Sequence, residues 1–479
     1  MLALVSLAFA ALVLLVVGTD RFIGYDEALY LLEAQNLGES HFWGDHRALG
    51  IPLLIIPILH FVDASLSFLR YWFVILNALL LFLAFRLWQQ LIGSAAILAA
   101  ALLSVSWLGL VYGPTALPNL PTGLAALGLL GAFLLRLEQG SGWLPSILGF
   151  GVFLAIVRPT ATAALLLVAT GAVFHAWWRK PPPTSLRNPM DRLANPWFHL
   201  IPLVSAFLVG GLIWVVDSLR LDGPVDRFLA IVSFTGGGEG QYFEQLSKYV
   251  SRFDNYTSNG SISVLDVTLG LFLLVGITTA LSAREAPFTQ RRSVLAALIM
   301  SLLFFATYLM HYFVDVRLLL PAWCAMTIPV AVGYQRTIAS GSAVVKWLGI
   351  GVFGMVAIWS LLTAHRIADE YDARSENSRI VAEYLREDSA GMECRFATDR
   401  DTIQIEVMSG CLGVTVIGSV QTRPDQFRLD PDDTTTLLYA VYWGQPEIET
   451  FYDSWPMREV ETGTVVWRVF KEPARDSSG

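Results

Sequence analysis

The chain alternates long apolar runs with short polar interruptions, and the run lengths are the first physical clue. About 20 apolar residues at 1.5 Å rise cross the roughly 30 Å hydrocarbon layer of a bilayer. By this measure the sequence predicts about 11 transmembrane helices, near 2–18, 66–86, 93–112, 119–137, 143–157, 160–178, 197–217, 262–281, 293–311, 317–335 and 345–364. The apolar stretch 143–178 is read as two helices because Arg158-Pro159-Thr160 interrupts it. The proline removes a backbone donor, and an arginine at mid-bilayer costs about 2.5–3.5 kcal/mol on insertion scales. The segment 50–61 is too short to span and is expected at the interface. Beyond residue 365 the pattern changes. Helical stretches at Ser378–Arg386 and Thr402–Ser409 alternate with strands near Cys394–Thr398, Val414–Ile417, Thr436–Tyr442 and Thr464–Phe470, which predicts a small α/β domain with a partly parallel sheet.

Composition sharpens this division. The 479 residues are 54% hydrophobic and 15% charged, with a mean hydropathy of +0.55, against about 25% charged in soluble proteins. Residues 366–479 hold 12 basic and 22 acidic residues, whereas residues 1–365 hold 20 and 18. The sequence therefore addresses lipid first and water second. The fold class read from it is a polytopic α-helical membrane protein with a small C-terminal α/β soluble domain. The division is 1–365 for the membrane domain, with outer loops 19–65 and 218–261, and 366–479 for the tail. A nucleic-acid binder, a disulfide scaffold and a disordered chain are excluded by these counts. The first run lacks a basic n-region and a clean cleavage site, so it is read as a retained span. Cys394 and Cys411 flank the second tail helix, a pairing that the sequence leaves open. Cys324 reads as packing.

Short basic loops set the orientation. With the N-terminus inside, Arg86, Arg136, Arg179, Lys180, Arg187, Arg192, Arg284, Arg291, Arg292, Arg336 and Lys346 all fall on the cytoplasmic side. An odd number of spans then puts the tail outside. Four polar clusters share that outer face. In Tyr25-Asp26-Glu27-Ala28-Leu29-Tyr30-Leu31-Leu32-Glu33, Asp26, Tyr30 and Glu33 fall on one stripe of a short helix. Two carboxylates and a phenol there suit proton transfer, while a plain N-cap role for Asp26 is the rival reading. Asp45-His46-Arg47 precedes the interfacial segment, and its rival is a solvated loop. His311, Asp315 and Arg317 lie between two late spans, where Tyr and Arg also serve as interfacial anchors. Arg158 is the fourth. Together, carboxylates that activate an acceptor hydroxyl and cations that neutralise a phosphate suit a lipid-phosphate leaving group.

These residues resemble the polytopic GT-C glycosyltransferases, especially bacterial relatives of the protein O-mannosyltransferases and of the lipid A aminoarabinose transferase. The parts that carry the resemblance are Asp26-Glu27 with Tyr30, His46-Arg47 to Pro52-Leu53-Leu54, Arg158-Pro159-Thr160, and Asp315-x-Arg317-Leu-Leu-Leu-Pro321. It covers residues 20–335 and not the tail. It implies a polyprenyl-phosphate sugar donor, a lipid, glycan or protein acceptor, inversion at the anomeric carbon, and Asp26 as base or acceptor-orienting carboxylate. Glu27 is assigned beside it, with Arg158, His311 and Arg317 on the donor phosphate and Tyr30, Asp45, His46, Arg47 and Asp315 on substrate. The sequence departs from those relatives where Ala48-Leu49-Gly50-Ile51 separates Arg47 from Pro52, and where Leu318 follows Arg317 in place of an aromatic.

Asp26, Glu27, Asp45 and His46 are of types that ligate a hard divalent cation, but their spacing is not diagnostic, so the sequence leaves a divalent cation open and points to no other cofactor. No nucleotide fingerprint is evident in the loops, in keeping with a lipid-linked donor. The expected location is a bacterial plasma membrane with an extracytoplasmic active site. The competing function class is a membrane transporter or lipid flippase, which would place functional polar groups near mid-bilayer and commonly show an internal repeat.

Overall fold

The computed structural model describes residues 1–19, 23–35, 48–61, 66–139, 143–179, 196–219, 223, 225, 288–309, 316–340, 342–398, 402–415, 437–443, 455–461 and 466–471. The span expected near 262–281 and most of the loop 218–261 lie outside the described residues. In chain order the described helices are α1 Leu2–Val16, α2 Tyr25–Gln35, α3 Gly50–Phe61, α4 Leu66–Ile92, α5 Ala95–Val105, α6 Trp107–Tyr112 and α7 Asn119–Gln139. They continue with α8 Leu144–Val157, α9 Pro159–Arg179, α10 Ile201–Ser218, α11 Phe288–Leu309, α12 Leu320–Ser340, α13 Ala343–Ser389 and α14 Thr402–Ser409. The strands are β1 Cys394–Thr398, β2 Leu412–Thr415, β3 Leu437–Trp443, β4 Met457–Glu461 and β5 Val466–Lys471.

Among the described residues, six helices are long and apolar enough to cross a membrane: Leu66–Ile92, Asn119–Gln139, Phe198–Ser218, Gln290–Thr307, Arg317–Ala339 and Ala343–Asp369. Shorter apolar helices accompany them at Leu2–Val16, Gly50–Leu59, Ala95–Val105, Leu144–Val157 and Pro159–His175. The protein is a membrane protein built mainly of helices.

The chain divides into two compact units, Met1–Thr19 with Gly44–His365, and Asp20–Trp43 with Arg366–Gly479. In the first, α7 is the centre. Its apolar window is 94% buried, while that of α13 is only 11% buried, so α7 is enclosed by protein and α13 is left for lipid. Helices α4, α8, α9 and α12 pack around α7. Lipid supplies no hydrophobic drive between helices, so association depends on close van der Waals approach. Gly123 provides it on α7, where a Cβ would sit 2.7 Å from Cys324 Sγ and 3.0 Å from Pro321 Cα of α12. Two polar side chains inside the bundle pair with backbone of a neighbouring helix: Trp88 Nε1 donates to Leu127 O at 2.8 Å and Ser301 Oγ to Ala322 O at 2.8 Å.

One predicted helical run is broken, and a second apolar stretch breaks where the sequence reading divides it. The run 93–112 becomes α5 and α6 around Ser106, which is extended and whose Oγ accepts the Gly109 N–H and donates to Leu103 O. The run 143–178 breaks at Arg158, whose φ of −155° and ψ of 87° are the extended geometry that a following proline enforces. Conversely, the span 345–364 and the helical stretch Ser378–Arg386, read as separate elements, belong to one 47-residue helix. No Gly or Pro lies between His365 and Ser389 to end it. Past the apolar part, Arg379 pairs with Glu376 and with Glu383, at 2.8 Å for the latter, and staples successive turns.

The second unit holds a five-stranded sheet in the order β2-β1-β3-β5-β4. β1 runs parallel to β2 and β3, and β5 runs antiparallel to β3 and β4. Val381 and Leu385 of α13 and Ile405 of α14 close its core over Phe396, Tyr439, Val441, Trp467 and Val469. Cys394 and Cys411 form a disulfide. Helix α2 packs against α14 in this unit.

Candidate active site

The cleft in the first unit is assembled by four separate stretches of chain: the start of α7, the α8–α9 junction, the end of α11, and the residues entering α12. Thr122, Arg158, Thr160, Ala161, Phe304, Thr307, Leu318 and Pro321 line it, around about 340 Å³ of empty space that includes its open side. Pro159 fixes Arg158 in extended backbone, and the half-buried guanidinium leaves the helix axis to donate from Nη1 to Asn119 Oδ1 at 3.0 Å. Asn119 opens α7 and is only 3% exposed. One turn on, Thr122 is fully buried and its Oγ1 has no hydrogen-bond partner among the described residues. Thr307 Oγ1, by contrast, bonds back to Leu303 O at 2.9 Å. Arg317 is half-buried in the 3-10 turn Val316–Leu319, directly before Leu318 of the cleft wall.

The arrangement offers one guanidinium and three threonine side chains against an apolar backing of Phe304, Leu318 and Pro321. That donor set matches an anion carrying a hydrocarbon tail. A guanidinium binds a phosphate through charge-assisted hydrogen bonds, and neutral hydroxyls complete its shell without adding charge.

The carboxylate group of candidates lies in the second unit. Asp26 is half-buried in the first turn of α2, and Glu27, 2% exposed, accepts the Gly24 N–H at Oε2, 3.4 Å away. Acidic residues in a first turn also favour the helix dipole. Tyr30 and Glu33, 7% and 0% exposed, are packed inside this unit. Asp26 is thus the most solvent-accessible member of the stripe. Asp45, His46, Arg47, His311 and Asp315 lie outside the described residues. Among the described residues no group of three His, Cys, Asp or Glu side chains could hold a metal ion.

Sequence reasoning missed three residues. Asn119 and Thr122 are neutral polar positions at the start of an apolar run, and only their place beside Arg158 gives them meaning. Arg70, fully buried in α4, donates from Nη1 to Thr19 O at 3.0 Å and ties the exit of α1 to the bundle. Its signal was a lone charge inside a span.

No protein-family model matches the chain, and no curated protein matches it by sequence. Solved structures do match. ArnT from Cupriavidus metallidurans bound to undecaprenyl phosphate gives a TM-score of 0.67 at 14% identity, over 98% of each chain. The same protein in the apo state gives 0.61 at 12% identity, over 98% of this chain and 97% of that one. The Archaeoglobus fulgidus oligosaccharyltransferase in complex with Zn and sulfate gives 0.56 at 14% identity, over 97% of this chain and 72% of that one. The class this defines is one of fold: a polytopic helical membrane architecture shared with ArnT and with an archaeal oligosaccharyltransferase. At these identities the fold is what is shared.

Proposed function

We propose that the protein transfers a sugar from a polyprenyl-phosphate donor to an acceptor on the extracytoplasmic side of the membrane, with inversion at the anomeric carbon. The observation that carries this reading is the Arg158–Asn119 cleft, in a fold shared with a protein crystallised on undecaprenyl phosphate. In the reaction, the Asp26 carboxylate takes the proton of the acceptor hydroxyl as its oxygen attacks the anomeric carbon. The bond from that carbon to the phosphate oxygen breaks, and the electron pair leaves on polyprenyl phosphate. The leaving phosphate gains negative charge in the transition state, so Arg158, Arg317 and His311 stabilise it more than they stabilise the ground state. Glu27 holds the start of α2 and thereby the backbone that carries Asp26. Tyr30, Asp45, His46, Arg47 and Asp315 are assigned to substrate, and a lipid, glycan or protein supplies the acceptor hydroxyl. The membrane is a bacterial plasma membrane.

The test is a transfer assay with purified full-length protein, synthetic polyprenyl-phosphate sugars and envelope acceptors. Asp26→Asn is expected to lower turnover about 10²–10⁴-fold with unchanged thermal stability, the usual contribution of a general base. Full activity of that variant would remove Asp26 from the mechanism. Sugar movement across reconstituted vesicles with no new glycosidic bond would replace the reading by transport.

A further inference from the structure

Thr122 is held in a condition that helices normally avoid. A buried hydroxyl without a partner is destabilising, and a helical threonine has an inexpensive remedy in the carbonyl three or four residues back. Thr307 uses it with Leu303 O at 2.9 Å, Thr337 with Gly333 O at 3.0 Å and Thr327 with Cys324 O at 2.7 Å. At Thr122 the backbone bond is in place, its N–H donating to Pro118 O at 2.8 Å, yet Oγ1 has no partner among the described residues. The residue lines the cleft beside Arg158, whose guanidinium is fixed by Asn119, one turn before Thr122 on α7.

We infer that Asn119 and Thr122 form an anion-orienting pair on α7: Asn119 positions the Arg158 guanidinium, and Thr122 Oγ1 donates to a non-bridging oxygen of the phosphate that the guanidinium neutralises. This rests on the donor reading above and deepens it, by naming a binding hydroxyl and a positioning amide that no charge pattern reveals. The anion then satisfies a hydroxyl that the protein leaves unsatisfied in its absence. Stability and binding should therefore respond in opposite directions.

The probe is polyprenyl phosphate without sugar, bound to purified full-length protein, with the thermal midpoint measured on the same samples and donor KM and kcat measured in the transfer assay. Thr122→Val, which keeps the shape and removes the hydroxyl, is expected to weaken binding about tenfold and raise donor KM, with a midpoint equal to or above that of the wild type. Thr122→Ser is expected to bind within about twofold of the wild type. Asn119→Asp would pair its charge with Arg158, and is expected to weaken binding more than Thr122→Val does while leaving the midpoint unchanged. Wild-type binding by Thr122→Val, a lowered midpoint for it, or equal weakness of Thr122→Ser would each overturn the role of the hydroxyl. Wild-type binding by Asn119→Asp would overturn that of the amide. A wild-type protein that transfers sugar but whose Thr122→Val variant is unaffected overturns this inference alone. A wild-type protein that does not retain polyprenyl phosphate overturns the donor reading and this one together.

Discussion

Glu406 and Asp388 are carboxylates of the same small unit, and their surroundings push them in opposite directions. Burial raises the Glu406 carboxyl to about 7, against the opposing effect of the Gly413 N–H that Oε2 accepts at 2.8 Å. Burial also disfavours the charge on Asp388. There, however, hydrogen bonds from Lys471 Nζ and Tyr439 Oη, each 2.7 Å from Oδ2, prevail with the charges of Lys471 and Arg458, and hold the carboxyl below its ordinary value. A raised carboxyl keeps its proton in the folded state after the unfolded chain has released it. Glu406 therefore costs stability progressively as pH rises from its ordinary 4.5 to about 7, to a total of about 3 kcal/mol. Asp388 behaves oppositely: its contribution is complete above the unfolded value and is lost as pH falls through the lower folded one. Hydrogen-exchange protection of the β1 and β2 amides in the full-length protein, corrected for intrinsic rates, should fall across pH 4.5–7. Glu406→Gln should flatten that fall, and a flat profile in the wild type would show that burial does not control this group. At the same scale, the candidate site was legible where a charge interrupts an apolar run, as at Arg158. It was illegible where the group is neutral: Asn119 and Thr122 cost little in a helix of any kind, and the role proposed for them depends on a residue far along the chain.

Elements were legible where a local rule decides them. Arg158-Pro159 ends α8 because the proline constrains the residue before it, and α14 and β1 follow their periodicity to the residue. The rest depends on tertiary context. β4 has the burial pattern of a strand exposed at every position but Val460, and its Arg and Glu residues suit the sheet edge, so alternation gave no signal. β2 begins two residues before the expected Val414 because pairing with β1 sets its register from Leu412. Helix packing is likewise invisible in composition, and the adjacent glycines of α10 separate the two roles of that residue. A Cβ at Gly210 would lie 2.1 Å from Ala155 Cβ and 3.0 Å from Ala155 C of α8, whereas one at Gly211 would meet nothing within 4 Å. Gly210→Val must push α10 from α8 and should cost about 1–3 kcal/mol or more, as overpacking does. Gly211→Ala should instead gain about 0.5–1 kcal/mol from reduced backbone freedom. Thermal midpoints of the two variants in detergent should move in opposite directions. Equal shifts would mean that the close approach of α8 and α10 does not contribute to stability.

At the scale of the whole molecule the charges and the apolar helices make a single demand. Among the described residues, α7, α11 and α12 place Arg136, Arg292 and Arg336 toward one end of the bundle, where Arg292 pairs with Glu138 at 2.6 Å. The opposite ends of the same helices carry Asn119, Phe304, Thr307 and Pro321 of the cleft. Under the positive-inside rule the arginine end is expected in the cytoplasm, which in the proposed topology leaves the cleft to open outside. The proposed reaction needs Asp26, its assigned base, in that same compartment, although Asp26 belongs to one compact unit of the chain and Arg317 to the other. Asp26→Cys and Arg317→Cys, each in a background with Cys324→Ala and the Cys394–Cys411 disulfide retained, should both react with a membrane-impermeant maleimide added to intact spheroplasts. A cysteine at Arg291, on the arginine side, should react only after lysis. Labelling of positions 26 and 317 from opposite faces would separate the carboxylate from the phosphate site by a bilayer. No single displacement at an anomeric carbon could then use both.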